Sequence, residues 1–120
     1  MIETRVFDHT AITALFRGND AAFRLWQDAD NDQLTLILPA VAVAEANTLI
    51  GGNSDSWRAV VHPGRVIVTP LDESTAADLG TTVGSLVVRQ VIREASQTRG
   101  DIVTDAPWQY PGDAPPILTL

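Results

Sequence analysis

The sequence predicts an α/β protein in three layers (α/β/α), with helices on both faces of a mostly parallel central sheet. Short apolar strands alternate with segments of helical periodicity along the chain. The segment 34–38 is almost continuously apolar, which is typical of a strand that is buried on both faces of a parallel sheet. With 120 residues, the chain has the length of one domain, and we predict a single domain over residues 1–120.

Five strands are predicted from β-branched and apolar runs that end at turn residues. They are Thr4–Asp8, Leu34–Leu38, Arg65–Thr69, Ile102–Thr104 and Ile117–Leu120.

Six helices are predicted between these strands, from apolar spacing and from capping residues. They are Ala11–Phe16 after Thr10 as N-cap, Ala21–Gln27 after Asp20 as N-cap, Ala40–Ile50, Trp57–Val61, a helix from the cap Asp72 to Leu79, and Val83–Gln97. The pair Gly84-Ser85 therefore falls inside the last predicted helix.

The net charge of −7 limits the classes of partner. Broad electrostatic binding of nucleic acid needs clustered positive charge, and the eight basic residues here are all arginine. Cysteine is absent, which excludes disulfides and thiolate metal sites. The sequence has no apolar run long enough for a membrane span and no signal-peptide pattern, so we expect a cytoplasmic protein.

Three acidic residues are the candidate functional groups. Asp8 and Asp105 each follow a predicted strand, and ligands of parallel sheets bind beyond the carboxyl ends of the strands. Glu45 lies within the apolar start of a helix, where a buried carboxylate needs a partner. Each residue also has a purely structural interpretation: Asp8 as a helix N-cap, Glu45 as a solvent-facing residue and Asp105 as a turn residue.

Clustered carboxylates form a hard-oxygen site that suits Mg²⁺ or Mn²⁺, and such a cation assists hydrolysis of phosphodiesters. Other chemistries are less well supported. His9 and His62 lack the spacing of zinc ligands, and no glycine-rich phosphate loop is present. The three tryptophans are interpreted as packing residues.

Three segments together resemble the motifs of PIN domains, and their order and spacing cover the whole chain. Val6 to Ala11 resembles the first motif, a strand that ends in aspartate. Leu38 to Ala46 resembles the helix that carries a glutamate, and Asp101 to Asp105 resembles the last strand, with threonine followed by aspartate. The nearest group would be VapC-like toxins, which are Mg²⁺-dependent ribonucleases neutralised by a small antitoxin.

The resemblance implies that Asp8, Glu45 and Asp105 are catalytic and bind the metal ion. It gives Thr10 and Thr104 a supporting role in orienting ligands or water. RNA would be the substrate, a small antitoxin the protein partner, and a homodimer the assembly.

One position departs from the family pattern. Ser85 stands where a further aspartate is expected, and Arg89 lies one helical turn later, where its charge would partly neutralise the acids. The alternative is therefore an inactive PIN-like module that binds a protein or RNA, with residues 10–27 as a partner or dimer surface or as ordinary core packing. A receiver-like domain is a third option, but the absence of lysine counts against it.

Overall fold

The computed structural model of the protein describes residues 2–120. Its sheet has five strands, all parallel, in the order β3-β2-β1-β4-β5. The strands are β1 (Thr4–Phe7), β2 (Thr35–Pro39), β3 (Val66–Thr69), β4 (Asp101–Thr104) and β5 (Ile117–Thr119). The predicted fold class, an α/β protein with a mostly parallel sheet, is confirmed.

Six α-helices connect these strands in the described part of the chain, and a 3₁₀ turn, Pro107–Gln109, follows β4. The helices are α1 (His9–Phe16), α2 (Asp20–Asp30), α3 (Ala40–Ile50), α4 (Ser54–Arg58), α5 (Glu73–Leu79) and α6 (Leu86–Thr98). The chain moves outward from β1 through β2 to β3, then crosses back beyond β1 to β4. Because parallel crossovers are right-handed, this reversal puts α5 and α6 on the face opposite to α1–α3.

The reversal of direction also creates a crevice at the carboxyl ends of β1 and β4, which are neighbours in the sheet. This is the place where open parallel sheets bind ligands. The strand residues beneath it are fully buried, so the crevice lies directly over the hydrophobic core. They are Val6, Phe7, Ile102 and Val103.

Four predicted helix starts are wrong by one to three residues. Helix α4 begins at Ser54 instead of Trp57, because the side chain of Asn53 caps it by accepting the backbone N–H of Ser56, and it ends at Arg58 instead of Val61. Asp8, not Thr10, caps α1, and Asn19, not Asp20, caps α2. The last long helix begins at Leu86 instead of Val83, because Gly84 has a φ of +110° that cannot continue a helix. Ser85 is consequently the N-cap of α6 and not an interior residue.

Glu94, on the inner side of α6, gives a prediction for stability. It is 6% exposed, and burial raises the pKa of its carboxyl above the ordinary value of 4.5, while Arg93 acts in the opposite direction. A raised pKa means that the folded state favours the protonated form, so stability falls as pH rises above about 4.5. Glu94→Gln should therefore raise the free energy of unfolding at pH 7, by on the order of 1 kcal/mol.

Urea unfolding from pH 3 to pH 8 tests this expectation. The gain from Glu94→Gln should shrink as the pH drops below 4.5, where the wild-type carboxyl is protonated as well. Glu45→Gln is the matched control, because Glu45 is exposed on α3. If the two variants changed the free energy of unfolding equally at all pH values, the burial of the Glu94 carboxyl would be contradicted.

Candidate functional site

The crevice between β1 and β4 contains a carboxylate, Asp8, which is completely buried. Its Oδ1 accepts hydrogen bonds from the Thr10 hydroxyl at 2.6 Å and from the Ala11 backbone N–H at 2.9 Å. Its Oδ2 accepts a hydrogen bond from the Tyr110 hydroxyl at 2.8 Å. Both carboxylate oxygens are therefore occupied by neutral donors from this chain.

Two threonines extend this network to β4. The hydroxyls of Thr10 and Thr104 are 3.1 Å apart, and Thr104 is fully buried. The backbone N–H of Asp105 donates to Thr10 Oγ1 at 2.8 Å, and that of Ala106 donates to Thr104 Oγ1 at 2.9 Å. The network thus joins the ends of two neighbouring strands through side chains that are far apart in the sequence.

Tyr110, whose role the sequence did not suggest, is 9% exposed. Burial raises the pKa of its phenol far above the ordinary value, and the charge of Asp8 and the hydrogen bond to it act in the same direction. The phenol therefore stays protonated and donates to Asp8. The sequence did contain one indication of this role. Tyr110 is the sole tyrosine and comes shortly after Asp105, and a buried tyrosine needs a partner for its hydroxyl.

The other predicted site residues lie outside this network. The Glu45 side chain is exposed on α3, so the expectation that it is a buried carboxylate is wrong. Helix α3 buries Ala42 and Ala46 instead, and position 45 lies next to that buried stripe. The Asp105 side chain is also exposed, although its backbone N–H belongs to the network.

Ser85 and Arg89 have local structural roles. Ser85 Oγ accepts a hydrogen bond from the backbone N–H of Val88 at 3.3 Å, as an N-cap does. The guanidinium of Arg89 donates to the carbonyl oxygens of Leu79 at 2.9 Å and Thr82 at 3.4 Å. Arg89 therefore binds the connection between α5 and α6. These hydrogen bonds go to backbone carbonyls and not to the acids that Arg89 was predicted to neutralise.

The residues at the crevice, as arranged, do not fit a divalent cation. Mg²⁺ and Mn²⁺ need accessible carboxylate oxygens, and those of Asp8 are buried and already bonded to Tyr110 and Thr10. Within residues 2–120, no three histidine, aspartate or glutamate side chains are grouped closely enough to hold a metal ion.

Beside the crevice, a groove of about 600 Å³ follows the start of α6. An adjoining groove of about 570 Å³ continues along the same helix, and the two share Val83, Ile92 and Pro111. Val83 is 93% exposed and Trp108 is 80% exposed. The interpretation of all tryptophans as packing residues is therefore wrong for Trp108.

The helical hairpin of α1 and α2 differs from this groove. Phe16 and Trp26 are partly buried against the core, and the ring of Phe16 lies 4.7 Å from that of Trp57. Phe23 is 47% exposed. Two of the three aromatic residues in the segment 10–27, which was considered as a partner surface, are thus engaged in packing.

In the comparisons with known proteins, no family model and no curated protein matches the chain. No helix within the described residues is long and apolar enough to cross a membrane. A chain in the crystal structure of VapBC2 from Rickettsia felis, bound to a DNA fragment from its promoter, is similar in structure, with a TM-score of 0.61 and 10% sequence identity. The similarity covers 98% of both chains, and it shows that this protein has a PIN-like α/β fold.

Proposed function

We propose that this protein is a PIN-like module that binds a small protein partner and does not hydrolyse RNA. One observation carries the proposal: the carboxylate of Asp8 is fully buried and both of its oxygens accept hydrogen bonds. A carboxylate in this state offers no free oxygen to a cation or to an attacking water. Asp8, which the resemblance makes a metal ligand, instead accepts hydrogen bonds that join the end of β1 to the start of α1 and to Tyr110.

The start of α6 supports the same conclusion. Ser85 occupies the position at which the resemblance implies an additional aspartate, and its hydroxyl caps the helix. A serine adds no negative charge to offset that of a cation. The crevice is therefore poorer in charge than a dedicated Mg²⁺ site.

The surface beside the crevice supports the binding of a protein. Val83 and Trp108 are large apolar side chains that are almost fully exposed along a continuous groove, and exposed apolar patches mark sites of interaction. The net charge of −7 favours a basic partner over nucleic acid. The similar chain in VapBC2 belongs to a complex, which agrees with a partner of the antitoxin type.

A second candidate function is the Mg²⁺-dependent or Mn²⁺-dependent cleavage of RNA by a VapC-like toxin, with Asp8, Glu45 and Asp105 as metal ligands. The observation in its favour is that Asp8 and Asp105 follow β1 and β4, which are adjacent parallel strands. In either role we expect the protein to work in the cytoplasm.

A comparison of variants for RNA cleavage and for Mn²⁺ binding separates the two functions. We expect the wild type to bind no Mn²⁺ by calorimetry and to cleave RNA in Mg²⁺ no faster than Asp8→Asn, because Asp8 is closed to the ion. Restoring the acid with Ser85→Asp should not raise cleavage while Tyr110 is in place. Mg²⁺-dependent cleavage that is lost in Asp8→Asn, Glu45→Gln and Asp105→Asn would establish the second candidate instead.

The binding role is tested by co-expression with any short reading frame next to the gene. Val83→Asp and Trp108→Ala should weaken the complex, while Leu49→Asp, at a residue that is 64% exposed on α3, is the control. Size-exclusion chromatography of the isolated chain distinguishes a protein partner from a second copy of this chain. A complex that is unaffected by the groove variants would contradict the proposed surface.

A further inference from the structure

The hydroxyl of Tyr110 lies on Asp8 although 102 residues separate them in the sequence. Tyr110 directly follows the 3₁₀ turn after β4 and precedes Pro111 in the segment that leads to β5. It is the point at which this segment is fastened to the end of β1. Trp108, two residues earlier, is 80% exposed. The turn therefore exposes the Trp108 ring to solvent, while the Tyr110 ring directly after it is buried.

The directions of the hydrogen bonds follow from the chemistry of the groups. An ionised carboxylate only accepts, so the single proton of Thr10 Oγ1 is donated to Asp8. Thr104 Oγ1 must then donate to Thr10 Oγ1, which also accepts from the backbone N–H of Asp105. Every donor in the network is thus directed towards Asp8, and all of these donors are neutral groups.

We propose that Tyr110 acts as a clasp: its hydroxyl occupies the oxygen of Asp8 that a divalent cation would need and holds the segment after β4 against the end of β1. The inference rests on the proposed function and deepens it, because it assigns the closure of the crevice to one hydroxyl group. Tyr110 is a positioning residue, because its hydroxyl donates to Asp8 Oδ2 and fixes that carboxylate in place.

Calorimetry with Mn²⁺ tests whether the hydroxyl closes Asp8 to a cation. We expect no binding to the wild type and detectable binding to Tyr110→Phe, which keeps the ring and frees Asp8 Oδ2. The double variant Tyr110→Phe/Asp8→Asn is the control and should bind no Mn²⁺.

Two results would overturn the proposal. One is Mn²⁺ binding by the folded wild type, which would mean that the cation reaches Asp8 while the hydroxyl is present. The other is the absence of Mn²⁺ binding by Tyr110→Phe, which would mean that the hydroxyl is not what closes Asp8.

A double-mutant cycle provides a second readout that does not depend on metal binding. Tyr110→Phe keeps the ring and removes the hydroxyl, and we expect it to raise the unfolding equilibrium constant roughly ten-fold in the wild type. In the Asp8→Asn background the same change should have an effect at least about three-fold smaller, because the pair is already altered. Equal effects in the two backgrounds would show that the hydroxyl and the carboxylate do not interact.

These measurements need neither RNA nor a partner protein, so the clasp and the binding surface can fail separately. Coupling between Tyr110 and Asp8, together with groove variants that leave partner binding intact, would support the clasp and reject the binding surface. No coupling, together with weakened partner binding in the groove variants, would do the reverse.

Discussion

Replacing Asp8 with alanine is expected to lower the free energy of unfolding by about 3 kcal/mol or more. The change leaves the hydroxyls of Thr10 and Tyr110 and the N–H of Ala11 without their acceptor in a place that water does not reach. Each buried donor left without an acceptor costs about 1–3 kcal/mol. Urea unfolding of the purified variant at pH 7 measures the loss.

The control for this prediction is Asp105→Ala. The Asp105 side chain is exposed at the end of the neighbouring strand, so its removal should change the free energy of unfolding by less than about 0.5 kcal/mol. Asp8→Asn, which keeps one acceptor for the Ala11 N–H, should fall between the two.

The size of the Asp8 effect also bears on function. Carboxylates grouped to bind a metal ion repel one another without it, and removing one of them leaves stability unchanged or increases it. A large loss of stability from Asp8→Ala would therefore favour the hydrogen-bonded clasp over an open metal site. Variants of Asp8 and Asp105 with equally small effects would contradict the buried geometry described here.

Gly64→Ala should cost about 3 kcal/mol or more, although it lies far from the crevice in the sequence. Gly64 has a φ of +52°, and a Cβ there would lie 2.4 Å from the carbonyl oxygen of Ala29 and 2.5 Å from that of Asp30. The Ala29 oxygen cannot easily move, since it accepts the backbone N–H of Arg65 at 2.9 Å. The variant should therefore loosen the packing of the segment before β3 against the end of α2.

Gly51→Ala separates steric conflict from backbone strain. Gly51 also has a positive φ, of +66°, but a Cβ there would have no neighbour within 4 Å. Its replacement should cost only about 1–2 kcal/mol, the penalty of a left-handed conformation for an alanine. Urea midpoints of the two variants give the comparison, and similar midpoints would mean that the end of α2 moves aside for the added methyl group.

Much of the fold follows from local pattern in the sequence. The buried run at Leu34–Leu38 and the alternation of strands with helices predicted the parallel sheet, because a strand covered on both faces needs apolar residues on both sides. The positions of Asp8 and Asp105 at strand ends followed from the lengths of those strands. Helix starts were less accurate, since the choice between Asp8 and Thr10 as cap depends on which side chain reaches a free backbone N–H.

The candidate site was only partly predictable, as two residues show. Glu45 was expected to be buried because its sequence neighbours are apolar, but a helix turns each successive residue by about 100°, and a single polar position can face solvent. Trp108 was expected to be buried by its size, but it lies on a short 3₁₀ turn, and the buried aromatic position is taken by Tyr110, which directly follows that turn.

The order of the elements, the parallel sheet and the acids at the ends of its strands could be predicted from local sequence, because they depend on residues that are close together in the chain. The role of Asp8 could not, because it depends on a long-range contact. Its partner Tyr110 is 102 residues away, and whether that hydroxyl or a cation meets the carboxylate depends on how the segment after β4 packs over the end of β1. No local pattern encodes a contact of that range.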